Sequence, residues 1–242
     1  MSIFISKETI NRLLKDVKDL MKNTLNSEGI YYHHDDTDML KGYAMIVGPS
    51  ETPYFGGFYF FELDYPANYP HTPPKVTYHT NDFKVRFNPN LYKCGKVCIS
   101  LLNTWKGEQW SSCQSIRSIL LTLCSLLCND ALMNEPDVGK IVYGQQINVY
   151  NKIIEYANIE IAICHIIQKH PIIFKSFFNF FYEHAKEHFS KNYDALILFA
   201  ENKLIENKNI SQTLQCTFYN FVKKIDYNNL IQELKNTKNV LL

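Results

Sequence analysis

The sequence predicts an α+β fold: a first helix, a four-stranded antiparallel meander, an irregular cysteine-bearing segment, and helices onward to the C-terminus. Three observations predict it. Apolar residues at helical spacing open the chain, four β-rich runs follow with no room for a helix between them, and helical periodicity returns from Gln114. In the first helix, Thr9 to Asn23, residues Ile10, Leu13, Leu14, Val17 and Leu20 or Met21 fall on one face, and Ser6 stands in capping position. The β-rich runs are Ile30 to Tyr32, Tyr43 to Val47, Gly57 to Leu63 and Lys75 to Tyr78. Separators dense in Asp, Gly and Pro (HHDDTDM, GPSETPYFGG, YPANYPHTPP) supply the turns. Gln114 to Leu127 reads as a helix, and Val142 to Ile167 as a long one buried through Ile147, Tyr150, Ile154, Ala157, Ile161 and Cys164. Pro171 interrupts it. The remainder, Ile172 to Leu242, is helical in flavour, so the expected organisation is a core over 1–170 and a helical extension over 171–242.

Composition narrows the function classes. Hydrophobic residues make up 46% and charged ones 20% of the 242, the profile of a globular protein rather than a disordered one. With 25 basic against 24 acidic residues, the net charge of +1 gives no electrostatic reason to expect nucleic acid or an anionic membrane as a partner. The first residues lack a basic stretch followed by an apolar run, and no apolar run approaches a membrane span. Seven cysteines, an odd number, fit a reducing compartment, cytoplasmic or nuclear. With sixteen Tyr and sixteen Phe the core should be bulky, and buried Tyr hydroxyls will need partners.

The chemistry-bearing stretch is RFNPNLYKCGKVCISLLNTW, Arg86 to Trp105, an irregular segment held between the last strand and the Gln114 helix. A cysteine becomes nucleophilic only as thiolate, with partial exposure and a stabilising environment, and such a segment supplies exposure without mobility. Taken alone, Cys98 between Val97 and Ile99 fits a buried small hydrophobe as well as a nucleophile. Cys124 and Cys128, four apart in an apolar pattern, read as core rather than as a zinc pair, and no metal site is expected. His33-His34 beside Asp35-Asp36 reads as a hairpin turn, and Cys94 with Cys98 leaves open an oxidative pairing.

From Thr9 to Ile167 the chain resembles the ubiquitin-conjugating enzymes (E2s), whose UBC fold has this element order. GPSETPYFGG and the following YPANYPHTPPKV match the family's strand-pair and loop motifs. Asn88-Pro89-Asn90 stands where the family has His-Pro-Asn, Cys98 follows Asn90 at the family's distance, and GKVCISLL and QSIRSILLTLCSLLC match the flanking motifs. FNPN, CISLLNTWKG-x-x-W, Asn134-Glu135-Pro136 and a tail beyond the core resemble the Z-type subset in particular.

The resemblance implies that Cys98 accepts ubiquitin or a ubiquitin-like protein from an activating enzyme (E1) and passes it to a lysine of a protein substrate, usually with a ligase (E3). ATP is spent on the E1, so no cofactor is expected on this chain. Asn90 is assigned to the oxyanion of the transition state, to holding its own loop, or to both. Asn88 replaces a histidine with a loop-holding role. Many family members carry an acidic gate after the second helix. Here Asn134 or Glu135 lies nearest it, and Ser100 stands where many members have Asp. Arg12 and Lys15 correspond to the E1-binding helix face, and His71, Thr72, Ser112 and Cys113 to the E3-contact loops, without the Phe and Pro-Ala common there.

Overall fold

The computed structural model describes residues 5–135 and 144–241. Pro136 and the expected helix start at Val142 lie outside the described residues. Helix α1 (Lys7–Lys22) begins at Ser6, whose Oγ accepts the Thr9 N–H at 3.0 Å. Ser6→Ala should therefore cost about 1 kcal/mol of stability, read from the shift of a urea-unfolding midpoint. The buried stripe differs from the expected one. Thr9, Leu13, Asp16 and Leu20 face inward, while Leu14 and Met21 are 44% and 75% exposed. Polar anchors set this rotation: Thr9 donates to the Ala67 carbonyl, and Asp16 accepts from Tyr69 at 2.6 Å and from Arg12 at 2.9 Å.

Strands β1 (Ile30–His34), β2 (Lys41–Val47), β3 (Phe58–Asp64) and β4 (Lys75–Tyr78) form an antiparallel meander in sequence order. Asp35 makes the β1–β2 turn by accepting both Thr37 N–H and Asp38 N–H, and those bonds hold its carboxyl below the usual carboxylate range. In the β2–β3 loop, glycine is dictated by space. A Cβ on Gly48 would sit 1.7 Å from the Tyr54 carbonyl oxygen, and one on Gly57 1.9 Å from Asn158 Oδ1. Asn158 fills that gap, donating to the Phe55 carbonyl and accepting from Tyr59.

Helix α2 (Ile116–Ser125) starts in a Ser115/Ser118 capping box, and α3 (Gly144–Ala157) continues as a π-helical stretch, Asn158–His165. The extension is less uniformly helical than expected. Between α4 (Tyr182–Glu206) and α5 (Tyr227–Asn239) lies a hairpin, β5 (Gln212–Cys216) paired with β6 (Phe221–Ile225). Its period-two burial is a strand signature that the flanking helical patterns mask.

The extension also covers one face of the sheet. Tyr31, His33, Tyr43 and Phe60 share that face by register. Phe178 stacks on Phe60 at 3.7 Å, Phe177 on Tyr43 at 4.7 Å, Phe180 on His33 at 3.9 Å and His184 on Tyr31 at 4.4 Å. Strands β2 and β3 are consequently buried almost throughout, and one hydrophobic cluster runs from Leu13 to Leu234. Among the described residues no helix is long and apolar enough to cross a membrane.

Candidate active site

The segment after β4 is irregular but held by side-chain hydrogen bonds. Asn88 is buried, and its side chain donates to the Leu126 carbonyl at 2.7 Å and to the Tyr54 hydroxyl at 3.3 Å while accepting Asn90 N–H at 2.9 Å. A neutral amide thus fixes the start of the turn. Gly95, at φ 88°, closes the next turn, and short bridges pair Thr77 with Lys96 and Leu91 with Val97.

Asn90 and Cys98 then meet. The Cys98 N–H donates to the Asn90 carbonyl at 2.9 Å, and Asn90 Nδ2 donates to the Cys98 carbonyl at 2.7 Å. Cys98 is 3% exposed, as closed as the buried small hydrophobe its Val97-Ile99 setting suggests and more closed than the partly exposed thiol that the irregular segment offers. The amide NH₂ has a second hydrogen, which the Cys98 carbonyl does not use. Beyond the cysteine, Thr104 Oγ1 accepts the Ile99 N–H, and Asn103 Oδ1 accepts the Trp110 N–H at 2.8 Å. These bonds account for Asn-Thr in the post-cysteine motif. Burial pushes the thiols of Cys124, Cys164 and Cys216 up. Cys124 and Cys128 pack against the core, as their spacing predicts.

The remaining expected site residues separate into groups. Asn134 is exposed, whereas Glu135 Oε1 accepts the Tyr219 hydroxyl at 2.6 Å and lies 3.5 Å from Arg86. Lys15 is exposed on α1, but Arg12 is occupied, donating to Asp16 and to the carbonyls of Ser112 and Gln114. His71, Thr72, Ser112 and Cys113 are all exposed. Their two loops are tied together by Trp110 Nε1 donating to the Pro70 carbonyl at 2.6 Å, and His71 lies 3.2 Å from Glu8 of α1. Arg86, Tyr219 and Thr104 were not singled out by sequence. Thr104 lies within the matched motif, but nothing in the sequence pairs Arg86 with a tyrosine of the extension.

An N-terminal helix, a four-stranded meander and an asparagine-bound cysteine on the segment after it define a UBC domain. The chain belongs to the ubiquitin-conjugating enzyme family, whose model matches residues 12–157. Similar proteins include the ubiquitin-conjugating enzyme E2 Z of Xenopus tropicalis, 37% identical over 164 residues, which are 67% of this chain and 52% of that one. That of Homo sapiens is 38% identical over 158 residues, 65% of this chain and 44% of its own. The putative ubiquitin-conjugating enzyme E2 39 of Arabidopsis thaliana is 38% identical over 139 residues, 55% of this chain and 43% of its own. The chain spans about half the length of the curated relatives it matches.

Proposed function

We propose that Cys98 carries ubiquitin or a ubiquitin-like protein as a thioester between an activating enzyme and a lysine of a protein substrate. The pairing of Asn90 with Cys98 carries this reading: a nucleophile with an amide donor held beside it is what acyl transfer requires. In the first step the Cys98 thiolate attacks the carbonyl carbon of the E1 thioester. The tetrahedral oxyanion collapses, the E1 thiolate leaves, and one thioester has replaced another. In the second, a lysine amine attacks, the carbon–sulfur bond breaks, and the amine gives up a proton as Cys98 leaves. ATP is spent upstream, so this chain itself needs no cofactor.

The exposed Lys15 face of α1 is the E1-facing surface in this reading, with Arg12 shaping it from within rather than reaching out. The joined loops at His71-Thr72 and Ser112-Cys113 form the surface offered to an E3. Asn134 or Glu135 stands at the gate by family position: Asn134 is exposed but carries no base, and the Glu135 carboxylate already accepts from Tyr219.

The test is charging. Incubation with ATP and a panel of activating enzymes, each with its modifier, should give an adduct on a non-reducing gel that thiol reagents release. Cys98→Ala should abolish it. An adduct that survives in Cys98→Ala, or none with any member of the panel, would sink the proposal.

A further inference from the structure

The β5–β6 hairpin of the extension reaches the catalytic segment through a cluster that the chemistry above leaves unused. The Arg86 guanidinium lies between two rings, 3.9 Å from the centroid of Tyr92 and 4.3 Å from that of Tyr219 in the hairpin turn. Its Nη2 donates to the carbonyl of Pro89, the residue before Asn90. Tyr219 donates to Glu135, Tyr150 donates to the Arg86 carbonyl at 3.0 Å, and Lys93 Nζ stands 5.2 Å over the ring of Phe221. Arg86 and Glu135 are both mostly enclosed, with side chains 14% and 19% exposed. The hairpin therefore touches the segment upstream of Asn90 and again between Asn90 and Cys98.

We propose that Tyr219 is a positioning residue for the Cys98 reaction. Its ring completes the aromatic clamp on Arg86, and its hydroxyl fixes Glu135 against the same cation. The held guanidinium in turn fixes the Pro89 carbonyl, and with it the bearing of Asn90 on Cys98. In this arrangement Glu135 belongs to the clamp and is not the acceptor of the lysine proton, since its Oε1 is already taken by Tyr219 and faces Arg86. The inference rests on the reading of Cys98 as the thioester site. Placement errors far from the reacting atoms suffice to slow such chemistry strongly.

The experiment uses the full chain, charged by whichever activating enzyme and modifier of the panel load the wild type, and then discharged onto free lysine. Tyr219→Ala should slow single-turnover discharge about tenfold and leave KM for the loaded activating enzyme in place. Tyr219→Phe keeps the ring on Arg86 and should recover most of the loss. Glu135→Gln keeps an oxygen for Tyr219 and should slow discharge no more than about threefold, whereas removal of a proton acceptor would cost about 100-fold or more. Discharge of Tyr219→Ala at the wild-type rate overturns the proposal, as does a Glu135→Gln loss of about 100-fold or more. Hydrogen exchange supplies an arm independent of charging. In Tyr219→Ala the amides of Leu91 and Cys98 should exchange faster while those of Met45 and Phe60 keep their protection. Uniform acceleration, or none, overturns the clamp. A wild type that no activating enzyme charges overturns the reading of Cys98, and the exchange arm then decides the clamp alone.

Discussion

Asn90→Ala should leave a folded protein that transfers its modifier about 100- to 1,000-fold more slowly, the usual cost of removing one oxyanion donor. The proposed function gives the amide of Asn90 two tasks, and magnitude separates them. Its bond to the Cys98 carbonyl is an ordinary structural hydrogen bond, and losing it costs about 1 kcal/mol. A loss of that size, felt only through loop order, slows a reaction by roughly tenfold at most. A donor aimed at the developing oxyanion acts on the transition state more than on the ground state, so its removal appears in the rate. Pre-charged protein discharged onto free lysine gives the rate, and urea unfolding of the same variant gives the stability. A variant within about threefold of wild type in discharge would leave Asn90 with the loop alone. Asn90→Asp adds a discriminating case: it keeps the shape, removes the donor, and sets a negative charge beside a developing one. It should be slower still than Asn90→Ala.

Much of this site was legible because its parts are close in sequence. Asn90 and Cys98 form one local turn, Gly95 sits at its bend, and Gly48 and Gly57 of the β2–β3 loop stand where neighbouring atoms leave no room for a Cβ. The meander was legible for a similar reason: each strand pairs with the next one. What escaped sequence reading depends on distant partners. The inward turn of α1 follows from Asp16 finding Tyr69, and periodicity counted Leu14 and Met21 as core because an apolar residue looks alike on either side of that rotation. Arg12 matched a solvent-facing surface by family position, yet the carbonyls of Ser112 and Gln114 claim it. Glu135 and Tyr219, 84 positions apart, carry no mutual signal. One signal was present and unread. The runs Tyr43–Val47 and Phe58–Phe61 are continuously apolar rather than alternating, which is the pattern of strands covered on both faces.

That double coverage sets the second large effect. Phe178→Ala should destabilise the whole protein by about 3–5 kcal/mol, a large part of the roughly 5–15 kcal/mol that holds a typical domain together. Both Phe178 and Phe60 are fully buried, with rings nearly parallel at 8°, and Phe174 and Phe177 pack edge-on against Phe178. Truncation removes the ring's burial and its stacking and leaves a cavity walled by other aromatics, which cannot collapse to fill it. Phe180→Ala is the matched control: its ring also stacks on the sheet face, but it is 48% exposed, and its loss should cost no more than about 1 kcal/mol. Both tryptophans, Trp105 and Trp110, lie in the core between Cys98 and α2, so their fluorescence follows unfolding of the core rather than of the extension. If the extension and the core share one cooperative unit, Phe178→Ala will lower the midpoint of the tryptophan transition as far as that of the far-ultraviolet circular dichroism. If the tail is a separate domain, the dichroism will fall in two steps and the tryptophan midpoint will stay where it was. The continuous cluster from Leu13 to Leu234 favours the first outcome, since exposing the covered face of β2 and β3 would put Tyr43 and Phe60 into water at once.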